Sequence, residues 1–362
     1  MSRSVRRPAL SRMVVLATSL VLLAGVPAQA ANTWTKILPT FGETQGVAAA
    51  PDGGVYVATS RTDTGAAATL FSFRKTGSVA WSTVLGAANT YVRDLASDSS
   101  GNAYVAMYVA VPNADGYLYR IQQVKKTGAL GWVKKWHDAD ASLQGDVLSV
   151  TGGKVILVER DASSGITSVR RFSTTNGAPS GSWSLSAGQG PADIPVDVIA
   201  TSSATTILDQ SGGLFRLRSN GTVQWKKQLP GTAYRGDLGV DSSGITVGYA
   251  KGFDARVRRY SLSGTQKWDK RMPGDGGSRN AATAAGGTSF TAAAKYVNDT
   301  VRTQIVVGRL DAAGKLKGQV VVGTSRIDQG DFILLSGDYL YIGGYQWASP
   351  TNKPILIRVK KP

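Results

Sequence analysis

The 362-residue chain is predicted to be all-β: a seven-bladed β-propeller of four-stranded blades over residues 31–362, closed by its N-terminal strand in the last blade. Three observations predict it. A small turn followed by Trp recurs at intervals of 42 to 51 residues. A small-residue stretch, an Asp/Ser/Gly turn and a β-branched or aromatic stretch precede each recurrence. The two ends of the repeat region complement each other. Four short strands per repeat, period-2 alternation, punctuating glycines and no capped 3.6-period stretch argue for β-structure. Seven such units make a propeller, since a linear β-solenoid usually has a shorter period.

The elements follow in order. The Trp turn reads Thr76-Gly77-Ser78-Val79-Ala80-Trp81, Thr127-Gly128-Ala129-Leu130-Gly131-Trp132, Asn220-Gly221-Thr222-Val223-Gln224-Trp225 and Ser263-Gly264-Thr265-Gln266-Lys267-Trp268. Trp183 follows a looser copy, and Leu316 takes the Trp place after Ala313-Gly314-Lys315. The preceding motif runs from Leu95 to Ala106, with copies at Leu238–Val247 and Val47–Val57. Weaker copies start near Val147, Val198, Ala281 and Phe332, which gives seven units. The last unit ends after its third strand, Pro354 to Pro362, and its missing fourth strand is Ala31 to Leu38 with Trp34. Such a join leaves no free sheet edge at the seam. The Trp series at 34, 81, 132, 183, 225 and 268 is expected to pack between blades, because one large ring per unit is what a repeated core needs.

The Asp98-Ser-Ser-Gly-Asn-Ala-Tyr-Val105 core resembles the seven-bladed repeat of secreted bacterial propellers. The Thr-Gly-x-x-x-Trp element is similar to the quinoprotein-like (PQQ-like) repeat. The resemblance covers nearly all of residues 31–362. It implies a fold that serves enzymes, scaffolds and binding proteins alike. Quinoprotein enzymes usually have more blades and stack a cofactor on dedicated residues. Here there is no vicinal Cys pair and no assignable metal set, so quinone redox chemistry is not expected. The similar lipoprotein scaffolds of outer-membrane assembly carry a lipidated Cys, which this chain lacks.

Composition narrows the chemistry. Cys 0 and His 1 exclude disulfide scaffolds, thiol nucleophiles and zinc sites of Cys or paired His. Residues 1–30 read as a signal peptide. Arg3, Arg6, Arg7 and Arg12 precede the apolar run Met13–Val26, and Ala28-Gln29-Ala30 gives a cleavage site. At 14 residues the run falls short of the roughly 20 that span a bilayer. A secreted location, in the extracellular space, cell wall or periplasm, and a monomer with no transmembrane span are expected.

Beyond the leader, 37 Lys and Arg face 24 Asp and Glu, a net charge of +13. The third and fourth strands of the units hold 26 of the basic residues and two acids, Asp269 and Asp311. The rim is therefore expected to be positive. It is densest at Lys125, Lys126, Lys134, Lys135, Lys226, Lys227, Arg256, Arg258, Arg259, Lys270 and Arg271. Basic strand edges also discourage edge pairing. As a surface they suit an anionic envelope partner. Export and the lack of an aromatic-interleaved basic motif disfavour nucleic acid.

One acidic column stands out. Asp94, Asp146, Asp197, Asp237 and Asn280 each lie seven residues before the turn position of their unit; Asp331 fits with a slip of one, and Gln45 or Gly46 fills the seventh place. At the start of the innermost strand, this column becomes a ring at one mouth of the central channel. The ring either accepts backbone N–H bonds, as loop Asp often does, or holds a ligand or a hard cation such as Ca²⁺. No cofactor is otherwise implied. Trp347, Tyr345, Trp136 and Tyr234 read as loop aromatics that could stack on sugar rings. His137, beside Trp136 and Asp138, could serve as a base, but no Ser-His-Asp set can be assembled. Together these features point to an exported, non-catalytic binding or scaffold propeller that docks an envelope protein or anionic polysaccharide. The alternative is a hydrolase or lyase at the Asp-ringed mouth.

Overall fold

The computed structural model describes residues 33–40, 42–60, 67–86, 89–110, 116–138, 143–186, 188–234, 236–275, 281–296, 303–323, 328–347 and 352–362. Residues 1–30, where the sequence predicts a signal peptide, and Asn280 lie outside them. Among the described residues, twenty-eight strands form seven four-stranded antiparallel sheets. A first strand, β1 (Trp34–Ile37), precedes blade 1, which is β2 (Glu43–Ala49), β3 (Val55–Ser60), β4 (Thr69–Phe73) and β5 (Val79–Val84). Blade 2 is β6 (Thr90–Ser97), β7 (Ala103–Ala110), β8 (Tyr117–Val124) and β9 (Leu130–Asp138). Blade 3 is β10 (Leu143–Thr151), β11 (Lys154–Asp161), β12 (Thr167–Ser173) and β13 (Pro179–Leu185). Blade 4 is β14 (Pro195–Ala200), β15 (Ala204–Asp209), β16 (Gly213–Arg218) and β17 (Val223–Gln228). Blade 5 is β18 (Leu238–Asp241), β19 (Gly244–Lys251), β20 (Asp254–Tyr260) and β21 (Gln266–Asp275). Blade 6 is β22 (Ala281–Ala285), β23 (Thr288–Tyr296), β24 (Thr303–Leu310) and β25 (Leu316–Val322). Blade 7 is β26 (Asp328–Ser336), β27 (Tyr339–Gln346) and β28 (Lys353–Lys360), completed by β1. The seam is closed as the sequence predicts: Trp34 lies opposite Arg358, and Ile37 opposite Ile355.

The core sits between blades. Of seven apolar clusters among the described residues, each straddles one joint; Tyr56, Leu70, Val92, Leu95 and Met107, for example, join blades 1 and 2. A middle strand such as β3 is buried along its whole length, which is why these strands are apolar on both faces and not alternating. Outer strands such as β5 alternate exposed and half-buried residues.

The two repeated motifs prove to be one device. Each turn glycine takes a positive φ, which costs Gly little and other residues much. The Trp of the preceding blade lies against it. A Cβ on Gly77 would come within 2.8 Å of Trp34, and one on Gly128 within 2.9 Å of Trp81. Gly177, Gly221, Gly264 and Gly314 stand in the same relation to Trp132, Trp183, Trp225 and Trp268. Four indoles also donate to the next blade's turn: Trp81 to Lys126 O, Trp132 to Thr174 O, Trp225 to Leu262 O and Trp268 to Ala312 O, at 2.9–3.0 Å. At the other two, an arginine takes the carbonyl instead, Arg171 at Ser219 and Arg358 at Lys75. The repeated Tyr does the same from the second strand, with Tyr56 donating to Gly101 O at 2.6 Å and Tyr341 to Gly53 O at 2.7 Å. Gly128→Val should therefore cost stability through both backbone strain and displacement of Trp81, on the order of 3 kcal/mol. Urea unfolding of the variant checks this, and an unchanged midpoint would overturn the lock.

Candidate functional site

The acidic column does not begin the innermost strands, as the sequence suggested. In blades 1, 2, 3, 4 and 7 it sits at a β-bulge within them, between Thr44 and Gly46, Val92 and Asp94, Gln144 and Val147, Pro195 and Asp197, and Gly330 and Phe332. A bulge places one extra residue against the partner strand and re-aims its side chain. Among the described members of the column, only Asp237 of blade 5 immediately precedes its strand.

Four of the acids meet. Asp94, Asp197, Asp237 and Asp331 line one cavity of about 490 Å³, together with Gln45 and Arg93 and aliphatic walls that include Val47, Leu148, Ile199 and Ile333. The lining comes from blades 1, 2, 3, 4, 5 and 7, so the cavity lies on the axis. Asp146 does not line it. Its φ of 47° turns it away, and it is buried, with Arg93 Nε 4.0 Å from its Oδ2.

The carboxylates brace neighbouring blades. Asp94 accepts N–H bonds from Leu95 at 2.7 Å and from Leu148 of blade 3 at 2.6 Å. Asp197 accepts from Val198 at 2.7 Å and from Leu238 of blade 5 at 2.6 Å. Burial pushes the Asp94 carboxyl up to about 8; the Leu148 N–H pulls the other way, and the charge of Asp197 adds to the rise. Asp197 and Asp237 are hydrogen-bonded to each other, and burial raises both, Asp237 the more strongly. Burial thus biases each carboxyl toward its protonated form, and the charge of Asp197 adds to the rise on Asp237. All three side chains are only half-buried. Solvent in the tunnel reaches them while protein surrounds them elsewhere. Among the described residues, no group of three or more His, Cys, Asp or Glu is arranged to hold a metal ion.

On the rim, Lys125, Lys126, Lys135, Lys226, Lys227, Lys270 and Arg271 are exposed, and Lys134 is half-buried. Three arginines depart from the expected surface. Arg256 and Arg258 clasp Asp269, with Arg256 Nε 3.0 Å from Oδ1 and Arg258 Nε 2.8 Å from Oδ2. Burial raises Asp269, but hydrogen bonds from Tyr249 and the two guanidinium groups outweigh it and hold the carboxyl below its ordinary range. Arg259 is buried, 2.7 Å from Asp241 Oδ1 and 2.7 Å from Thr246 Oγ1. Arg258 and Arg259 are neighbours on β20, so they face opposite sides of the sheet.

The other residues that the sequence singles out lie as follows. Trp136 and His137 lie within β9, and Tyr345 is buried within β27, because these strands run further toward the loops than the repeat suggests. His137 is exposed and away from the axial cavity. Tyr234 stands at the cavity lining and Trp347 is 57% exposed.

Fold and collar together define a closed seven-bladed β-propeller with a carboxylate-lined axial cavity. No protein family model matches the chain, and no curated protein matches it. Among solved structures, BamB from Moraxella catarrhalis is similar at 15% identity and a TM-score of 0.46, over 86% of this chain and 85% of that one. The strand pairing itself gives seven blades. No helix among the described residues is long and apolar enough to cross a membrane.

Proposed function

We propose that the protein is an exported, non-catalytic binding propeller that docks an envelope partner, a protein or an anionic polysaccharide, through its basic rim. The observation that carries this is the run of exposed lysines on outer strands and their turns, Lys125, Lys126, Lys135, Lys226, Lys227 and Lys270, set against only two acids in the same segments. The basic n-region and apolar run at residues 1–30 support export. The tunnel carboxylates support structure more than chemistry, since Asp94 and Asp197 each spend both oxygens on main-chain N–H groups.

The second reading, a hydrolase or lyase at the tunnel mouth, draws on Asp197 and Asp237, neighbouring carboxyls that burial pushes toward the protonated form a general acid needs. Pull-down of cell-envelope fractions across a salt series tests the first reading. Capture should weaken steeply between low and physiological salt. Salt-insensitive capture, or none, overturns it. Release of sugar fragments from the same fractions, lost in Asp237→Asn, would replace it with the second reading.

A further inference from the structure

We infer that the cleft between blades 2 and 3 is the seat of an acidic polysaccharide. The inference rests on the docking reading above and assigns it a place and a ligand class.

Repeated residues serve the fold; a departure confined to one blade calls for another account. Blade 2 carries such a departure. Tyr91 lies opposite Tyr108, Tyr108 opposite Tyr119, and Tyr119 opposite Trp136, so one row of rings crosses all four strands. Tyr91 stacks on Tyr108 at 4.9 Å between centroids, and Tyr119 on Trp136 at 6.1 Å. The same places in blade 1 hold Glu43, Ser60, Ala68 and Leu85. The row faces blade 3, where the Tyr119 hydroxyl donates to Leu143 O at 2.9 Å. Tyr119 is buried, but Tyr91, Tyr108 and Trp136 stay half-buried and keep part of each ring in contact with solvent.

Cations stand at both ends of the row. At the tunnel end, the Arg93 guanidinium lies 4.7 Å over the Tyr108 ring. At the rim end, Arg170 lies 5.5 Å over Trp136 and is held there by the buried Glu159 at 2.9 Å. Lys134 and Trp136 of blade 2 face Arg170 across a cavity of about 490 Å³. The cavity exists because blade 3 keeps its wall low. Ser182 and Ser184 flank Trp183, where blade 4 has Gln224 and Lys226 beside Trp225.

Trp136 is the ring of the row that reaches this cavity, and with Trp183 it offers apolar indole surface to the C–H groups of a glycan. The seryl hydroxyls suit its hydroxyl groups, and Lys134, Arg170 and Arg171 suit its charge. An acidic peptide would find the charge but gain less from the indole surface.

Calorimetric titration of the full protein with polygalacturonate, dextran and poly-glutamate tests this. Polygalacturonate should bind and the other two should bind at least about tenfold more weakly. Lys134→Glu and the groove-filling Ser182→Trp should each cost about tenfold, with unchanged far-ultraviolet dichroism and melting temperature confirming the fold. Ser182 is exposed and Lys134 half-buried at the cavity wall, so either variant alone suffices if the other fails to fold. Equal binding of poly-glutamate would overturn the sugar assignment. Binding lost in Lys226→Glu/Lys227→Glu but kept in both cleft variants would overturn the cleft and leave rim docking intact. No binding of polygalacturonate, with salt-sensitive envelope capture retained, would overturn the glycan and leave the docking reading standing.

Discussion

Removal of residues 32–38 is expected to lower the melting temperature by on the order of 10 °C or more. The deleted strand does three things at once. It pairs with β28 along four residues, from Trp34 opposite Arg358 to Ile37 opposite Ile355, and Leu38 N–H donates to Pro354 O at 2.9 Å. It places Trp34 against Phe73, Tyr341 and the Gly77 turn of blade 1. It covers β28, which is buried from Pro354 to Val359. Without it, buried main-chain groups lose their partners, each at about 1–3 kcal/mol, and a sheet edge opens beside an apolar joint. Scanning calorimetry gives the readout. Trp34→Ala should show a smaller drop in the same direction, and a deletion variant that melts with the full chain would disprove the closure.

The second large effect is on pH. The folded protein should become less stable as the pH rises from about 5 to about 8.5. The unfolded Asp94 carboxyl releases its proton near 3.9, while the folded one, raised by burial, holds it to about 8. Between those values the folded state carries the extra proton, so its stability is complete below the lower value and is lost toward the upper one. Asp197 and Asp237 act in the same direction. Discounted for screening by tunnel solvent, the loss across the window is on the order of 2 kcal/mol. At lower pH the trend reverses, because Asp241 and Asp269, held below their ordinary range, must then be protonated. Denaturant midpoints between pH 4 and 9 in wild type and Asp94→Asn check this. The variant should show a flatter alkaline limb, and identical limbs would place the shift elsewhere.

The ring was legible because every blade must solve the same packing problem. One Trp and one turn glycine in six of the seven units, and a Tyr in three, are the visible residue of a joint repeated around an axis. The seam could be read for the same reason, since β1 supplies what β26 to β28 lack. The acidic collar could be read only as a column, because a bulge is a property of register and leaves no residue-type mark. The rim was overstated at Arg256, Arg258 and Arg259. Charge counting along one strand ignores that Arg258 meets Asp269 from the neighbouring strand, and that Arg259 must point the other way. Alternation alone would have flagged the pair. The aromatic row of blade 2 is hidden in the sequence because Trp136 lies beyond the repeat's usual strand end, where a loop is expected. Placing Tyr91, Tyr108, Tyr119 and Trp136 against their blade 1 counterparts reveals it without coordinates.

The seam also fixes an order of events during synthesis. Thr44 beside it bonds to the Ile355 carbonyl across a separation of 311 residues, and β1 has no partner until β28 has been made. Early blades can assemble locally, but the first strand must wait, extended and unpaired, for the last. Such late, distant pairing slows folding and leaves a sticky segment exposed meanwhile. A chain whose final joint forms last stays open for longer, and both of its ends must remain free to move until the circle locks.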